Sequence, residues 1–259
     1  MLRSGLVSVT FRKKSPAEIV RLVKENGGAA IEWGGDIHVP HGKVDVAREV
    51  CKMTKDAGLA VAAYGSYFYL GKNDDPKNPS WQSVLDSAAA LEAPVIRVWA
   101  GPKASAKTDE AARKAITEEC RRIGQAAAAV KKVVAFEYHR NSLTDTAESA
   151  LQLVRETGLE NVRTYWQPPI DEGMGVPAET LKAVLPFLVH VHVYQMAWKD
   201  PQTLDQRPLS EGAQAWTGFI ADIRKSGRDH SLMLEFVRGG TDEQFKEDMK
   251  TLNGLLAAK

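Results

Sequence analysis

From one end of this chain to the other, apolar runs of four to seven residues alternate with amphipathic segments of ten to twenty. Short apolar runs at that spacing read as buried strands, and the longer 3.6-period segments between them as helices. The first run is Gly5–Val9. Ser15–Pro16–Ala17–Glu18 then supplies an N-cap, a proline at the first helical position and a capping-box acid, and Asn26–Gly27–Gly28 ends the helix. Further strands are predicted at Ala29–Trp33, Leu59–Tyr64, Val95–Trp99, Val133–His139, Val162–Trp166, Leu188–Tyr194 and Leu232–Phe236, each followed by a helical segment. Eight strand-then-helix units in a chain of 259 residues imply a single (β/α)8 TIM barrel spanning residues 1–259, with its active site at the C-terminal ends of the strands. A doubly wound open sheet would more often carry a Gly-rich phosphate turn after strand one, and Thr10–Phe11–Arg12–Lys13 is not one.

Composition narrows the function. Lys and Arg number 34 against 33 Asp and Glu, so there is no electrostatic footprint for nucleic acid or an anionic membrane. Cys51 and Cys120 lack metal-type spacing. No signal-type apolar segment opens the chain and no apolar run approaches membrane length, so a soluble cytoplasmic protein is expected. A small-molecule carbohydrate fits these limits, and nothing fixes an oligomeric state.

The strand tips gather chemistry. Strand five ends Glu137–Tyr138–His139, strand four Arg97–Val98–Trp99, strand six Trp166–Gln167, strand seven His190–Val191–His192, and strand eight Glu235–Phe236. Desolvating Glu137, Gln167, His192 and Glu235 together costs several kcal/mol each if they are unpaired, on the order of a buried polar group. A divalent cation removes that cost: two carboxylates, an imidazole and an amide oxygen suit Mn2+, Mg2+, Co2+ or Zn2+.

Together with Ile31–Pro40, Gly65–Ser66–Tyr67, Arg97–Gly101 and Tyr165–Pro168, these tips make the whole chain resemble the xylose isomerase-like TIM barrels, which include sugar isomerases, sugar epimerases and AP endonucleases. The resemblance implies one metal held by Glu137, Gln167, His192 and Glu235. It departs at Gln167, where the epimerases carry Asp, and at Ile170, where they carry His; one anionic ligand fewer weakens the cation's hold.

The resemblance also implies a metal-dependent isomerase or epimerase, with Glu137 and Glu235 as ligands and proton-transfer groups on opposite sides of a sugar enediolate. The same site could serve a lyase or hydratase that eliminates a substituent from a 3-keto-glycoside. A non-catalytic sugar-binding barrel is a further alternative, and an AP endonuclease would need more histidines and a basic face. His139, Trp33, His38, Trp99, Trp166 and Arg238 are expected at the substrate, the indoles as a stacking wall. Arg140 and Arg238, each three residues past a catalytic candidate, could meet a substrate anion or form ordinary surface ion pairs.

Overall fold

The structure, a computed structural model, describes residues 1–200 and 202–258. Its strands are β1 (Leu2–Val7), β2 (Ala30–Gly34), β3 (Ala60–Tyr69), β4 (Val95–Trp99), β5 (Val133–Phe136), β6 (Val162–Trp166), β7 (Leu188–Val193), β8 (Met196–Asp200), β9 (Thr203–Gln206) and β10 (His230–Leu234). Eight of them close into a parallel barrel in the order β1-β10-β7-β6-β5-β4-β3-β2, so the expected single (β/α)8 barrel is the fold. The helices are α1 (Pro16–Glu25), α2 (Val44–Asp56), α3 (Trp81–Ala90), α4 (Glu110–Ala129), α5 (Ala147–Thr157), α6 (Pro177–Val184), α7 (Ala213–Lys225) and α8 (Asp242–Ala257). None of the described helices is long and apolar enough to cross a membrane.

Local chemistry sets the boundaries. Ser15 and Glu18 form the anticipated capping box of α1, with Pro16 inside its first turn. Gly158, at φ 68°, ends α5 in the left-handed conformation that glycine adopts without a Cβ clash.

Two differences from the sequence reading bear on the mouth of the barrel. The first strand begins at Leu2, and Ser8–Phe11 is a 3-10 turn rather than strand. Between β7 and α7, β8 and β9 form an antiparallel hairpin that the alternation does not announce.

Alternate residues divide two packed layers. Outward-facing Ile31, Val98, Phe136, Val191 and Leu234 meet the helices. The lower interior is built of small or slender side chains, including Ala30, Ala62, Ala63, Val95, Ala135 and Met233. Above that layer the interior turns polar. Pairing slips between Ile31 and Glu32, between Gly65 and Phe68, and between Thr164 and Trp166, near the C-terminal ends, where irregularities re-aim side chains.

Candidate active site

Parity carries the inward residues of six strands to one place. Glu32 from β2, Arg97 from β4, Glu137 just past β5, Gln167 just past β6, His192 from β7 and Glu235 just past β10 are all buried at the C-terminal end. Arg97 Nε–H donates to Glu32 Oε1 at 2.7 Å, and its Nη1 donates to Glu137 Oε2. Trp99 Nε1–H donates to the same Glu137 oxygen. His192 Nδ1 lies 3.2 Å from Gln167 Oε1, 3.2 Å from Glu235 Oε2 and 3.8 Å from Glu137 Oε1, while Nε2 faces Glu32 Oε2 at 3.3 Å. Gly65 makes room for this network: a Cβ there would sit 2.9 Å from both Arg97 Nη2 and Glu32 Oε1.

Charge explains how so many ionisable groups stay buried. Burial alone would raise the Glu32 carboxyl, but Arg97 and His192 outweigh it and hold it at about 2. Burial works against the protonated His192 ring too, yet Glu235 and Glu32 raise its pKa to about 10. Glu137 is driven below the ordinary carboxylate value as Arg97, His139 and His192 overcome its desolvation. By contrast, burial pushes His190 down to about 4; it packs deeper, bonded to the Ala62 carbonyl and the Ser231 amide, as a core histidine.

The donor set fits a divalent cation. One ligand atom each from Glu137, His192 and Glu235 lie within 4.8 Å of one another, and Gln167 Oε1 joins them at His192 Nδ1. Among the described residues the three carboxylates meet Arg97 and the protonated His192 ring as cations; a divalent cation would bind His192 only by displacing its Nδ1 proton, and the exchange still adds positive charge among the three acids. Glu32, on the far side of the ring, is the kind of outer partner that orients a ligating histidine.

A cavity of about 290 Å³ opens above these groups, lined by Glu137, His139, Arg140, Gln167, Tyr194 and Glu235 together with hairpin residues. His139 Nδ1 approaches the Arg140 carbonyl at 2.6 Å. A carbonyl only accepts, so Nδ1 carries the hydrogen and Nε2 keeps the ring's lone pair. Tyr67 (φ 52°) and Phe236 (φ 54°) flank the mouth in left-handed backbone conformations, the strain expected where a site overrides local preference.

Four expected substrate contacts lie elsewhere. Trp33 is fully buried outside the barrel, donating to Thr54 Oγ1. Trp166 is likewise buried, donating to Thr180 Oγ1 and packed edge-on against Trp216 and Phe219. The reason is parity: each neighbours an inward residue, Glu32 or Gln167, and so points the other way. His38 is buried between Ser8 Oγ and the Lys14 carbonyl. Arg238 is exposed in a 3-10 turn and lines no part of this cavity. Trp99 and His139 lie beside Glu137, their rings 5.5 Å apart, with the Trp99 indole donating to Glu137 and His139 lining the cavity. Trp166→Phe is therefore expected to lower stability by about 1–3 kcal/mol in urea denaturation, from lost volume and one hydrogen bond, without changing any activity of the cavity.

Sequence reasoning gives Glu32 no role and names Arg97 only among the strand tips. The available signal was a single charge at inward parity on each of two otherwise apolar strands, opposite in sign.

Comparison with known proteins agrees with this architecture. Residues 20–255 match the family model described as xylose isomerase-like TIM barrel. A 3-dehydroshikimate dehydratase of Bacillus anthracis is 24% identical over 277 residues, covering 97% of this chain and 96% of that protein. The crystal structure of a probable 3-DHS dehydratase involved in petrobactin synthesis in Bacillus anthracis superposes with a TM-score of 0.81, at 23% identity, covering 98% of this chain and 99% of that one. A D-psicose 3-epimerase from Clostridium cellulolyticum H10, solved with D-tagatose, gives a TM-score of 0.72 at 15% identity, covering 98% of both chains.

Proposed function

The chain belongs to the xylose isomerase-like TIM-barrel family, and from that membership we propose that it is a carbon–oxygen lyase, a dehydratase of a hydroxylated, sugar-like ring ketone. The observation that carries this reading is the division of labour in the site. Glu137 is committed to Arg97 and Trp99, and Glu235 to His192, whereas His139 lines the cavity and, among the described residues, its Nε2 has no hydrogen-bond partner. Epimerisation by the expected route needs both carboxylates free to exchange protons from opposite faces. Elimination needs one group able to take a proton and give it back.

In the reaction we assign, His139 Nε2 removes a proton from the carbon next to the ketone, and the C–H electron pair forms the enolate. As the carbonyl re-forms, the electrons make a carbon–carbon double bond and expel the hydroxyl on the next carbon. His139 returns its proton to that hydroxyl, which leaves as water. A divalent cation held by Glu137, Gln167, His192 and Glu235 would supply positive charge for the enolate oxygen. Tyr165 and Tyr194, whose phenols burial keeps protonated, leave no competing phenolate nearby. The sugar epimerisation suggested by the sequence shares the first proton transfer, and the full-length likeness to a dehydratase supports the second step.

The test is incubation with 3-dehydroshikimate and with a panel of ketoses in D2O, with and without prior chelation. The expected result is loss of water from the ring ketone, reduced after chelation and restored by Mn2+ or Mg2+. Deuterium appearing next to the carbonyl of a ketose, with inversion and no loss of water, would instead assign epimerisation.

A further inference from the structure

One aromatic side chain at the mouth breaks the alternation that places its counterparts. Next to Glu32, Arg97, Glu137 and His192, the side chains of Trp33, Val98, Tyr138 and Val193 point outward and are buried against the helices. The same alternation along β10 sets Met233 inside, Leu234 outside and Glu235 inside, so Phe236 should turn toward the helices as well. It does not. Phe236 is 42% exposed and lines the cavity beside Glu235.

A left-handed backbone makes the exception. Phe236 has φ 54°, and its amide is anchored on Thr10 Oγ1 at 3.2 Å. That conformation crowds the Cβ of any residue but glycine against the following carbonyl. The other left-handed non-glycine residues have local reasons for it. Glu92 and Lys131 each stand just past the C-cap of a helix, Asn141 is a residue type that tolerates the conformation, and Tyr67 packs its ring on Trp99 at 5.0 Å. The aromatic pairs at the mouth join Tyr67 to Trp99 and Trp99 to His139; among the described residues Phe236 joins none. Glycine is used for positive φ in this very loop, at Gly239 and Gly240. At 236 the chain instead keeps a large ring in a strained conformation and holds it in the open, which points to something that the ring must touch.

We propose that Phe236 is the stacking residue of this site: its ring lies along one face of the substrate ring and discriminates a flat ring from a puckered one. The inference rests on the reading of this cavity as the place where a ring ketone reacts, and adds to it the residue that senses ring shape. A flat ring meets a phenyl face over its whole area, whereas a puckered ring meets it through a few projecting atoms. Removing the proton beside the ketone turns one tetrahedral ring carbon trigonal, and loss of water turns the next. Contact with Phe236 therefore grows along the reaction, and a contact that strengthens toward the transition state is one that raises the rate. The cavity, of about 290 Å³, admits one such ring, and Ile170, Met196 and Leu204 give it further apolar surface.

Ligand-observed NMR with two unreactive probes, in the presence of Mg2+, tests this apart from turnover. Resorcinol and cis-cyclohexane-1,3-diol carry hydroxyls at the same ring positions, one on a flat ring and the other on a puckered one. Phe236→Ala is expected to weaken resorcinol binding by about two- to tenfold, the scale of one aromatic pair, and to leave the saturated diol unchanged. Phe236→Gly should match it, and Phe236→Tyr should bind as the wild type does. Melting separates strain from contact. Both small variants lack the ring and only alanine keeps a Cβ at φ 54°, so the glycine variant should melt about 2–4 °C above the alanine one, the reverse of their order at an ordinary position. Resorcinol binding that survives Phe236→Ala, or an equal loss of both probes, overturns the proposal. So does an alanine variant that melts above the glycine one. A change of molar mass in light scattering with probe binding intact also overturns it and makes the ring a contact between copies of this chain. Phe236-dependent discrimination without any dehydration in the D2O assay removes the lyase reading alone. Dehydration by Phe236→Ala at the wild-type kcat/KM removes the stacking role alone.

Discussion

His139→Gln is expected to lower turnover of a ring β-hydroxy ketone by about 10²–10⁴-fold, the range contributed by a positioned general base, while leaving both the fold and cation binding in place. Glutamine can occupy the same space and still reach the Arg140 carbonyl, now 2.6 Å from the ring nitrogen, but it cannot carry a proton back and forth. His139 is half-buried and its own hydrogen bond is local, so little stability depends on it. The carboxylates behave differently. Glu137→Gln and Glu235→Gln should each lose turnover together with the rise in melting temperature that Mn2+ gives the wild-type protein, since each removes an anionic ligand atom from a group spanning 4.8 Å. Glu137→Gln should also lower stability without metal, because Arg97 then keeps only Glu32 as a carboxylate partner. Circular dichroism, Mn2+-dependent melting and initial rates separate the three variants. A Glu235→Gln protein that keeps the Mn2+ response yet loses turnover, beside an active His139→Gln, would return the proton-transfer role to the carboxylate.

How far this site could be read from the sequence follows from how local each signal is. The barrel is written in short-range periodicity: strands and helices alternate, and caps such as Ser15–Glu18 lie within one turn of what they stabilise. Glu137, Gln167, His192 and Glu235 were legible because each terminates an apolar strand, where a barrel opens. Trp33 and Trp166 were misread although period-2 counting from Glu32 and Gln167 turns them outward; sitting near the mouth does not suffice when the side chain faces the helices. The hairpin of β8 and β9 escaped because its strands are short and partly exposed, without the apolar run that marked the others. The Arg97–Glu32 pair was the hardest case. Its partners are 65 residues apart, and only closure of the barrel shows that one guanidinium serves two acids.

That pair sets the second large effect. Arg97→Met is expected to destabilise the protein by about 3–5 kcal/mol, the cost of breaking a buried ion pair by removing one partner, which lowers Tm by roughly 10 °C for a domain of this size. Arg97 is 1% exposed, and it separates two carboxylates that burial would otherwise protonate. Methionine fills much of the volume and returns none of the charge. Glu32 and Glu137 are then left with the His192 ring, which also answers Glu235. Arg97→Lys should fall between, because a single ammonium cannot meet Glu32 through one nitrogen and Glu137 through another as the guanidinium does. Combining Arg97→Met with Glu32→Gln should recover part of the loss, since the second change removes one stranded anion; the coupling read from the four-protein cycle is expected to exceed about 1 kcal/mol. A cycle that closes additively, or an Arg97→Met protein as stable as the parent, would mean that the arginine is a bystander and that the mouth of the barrel is held by packing alone.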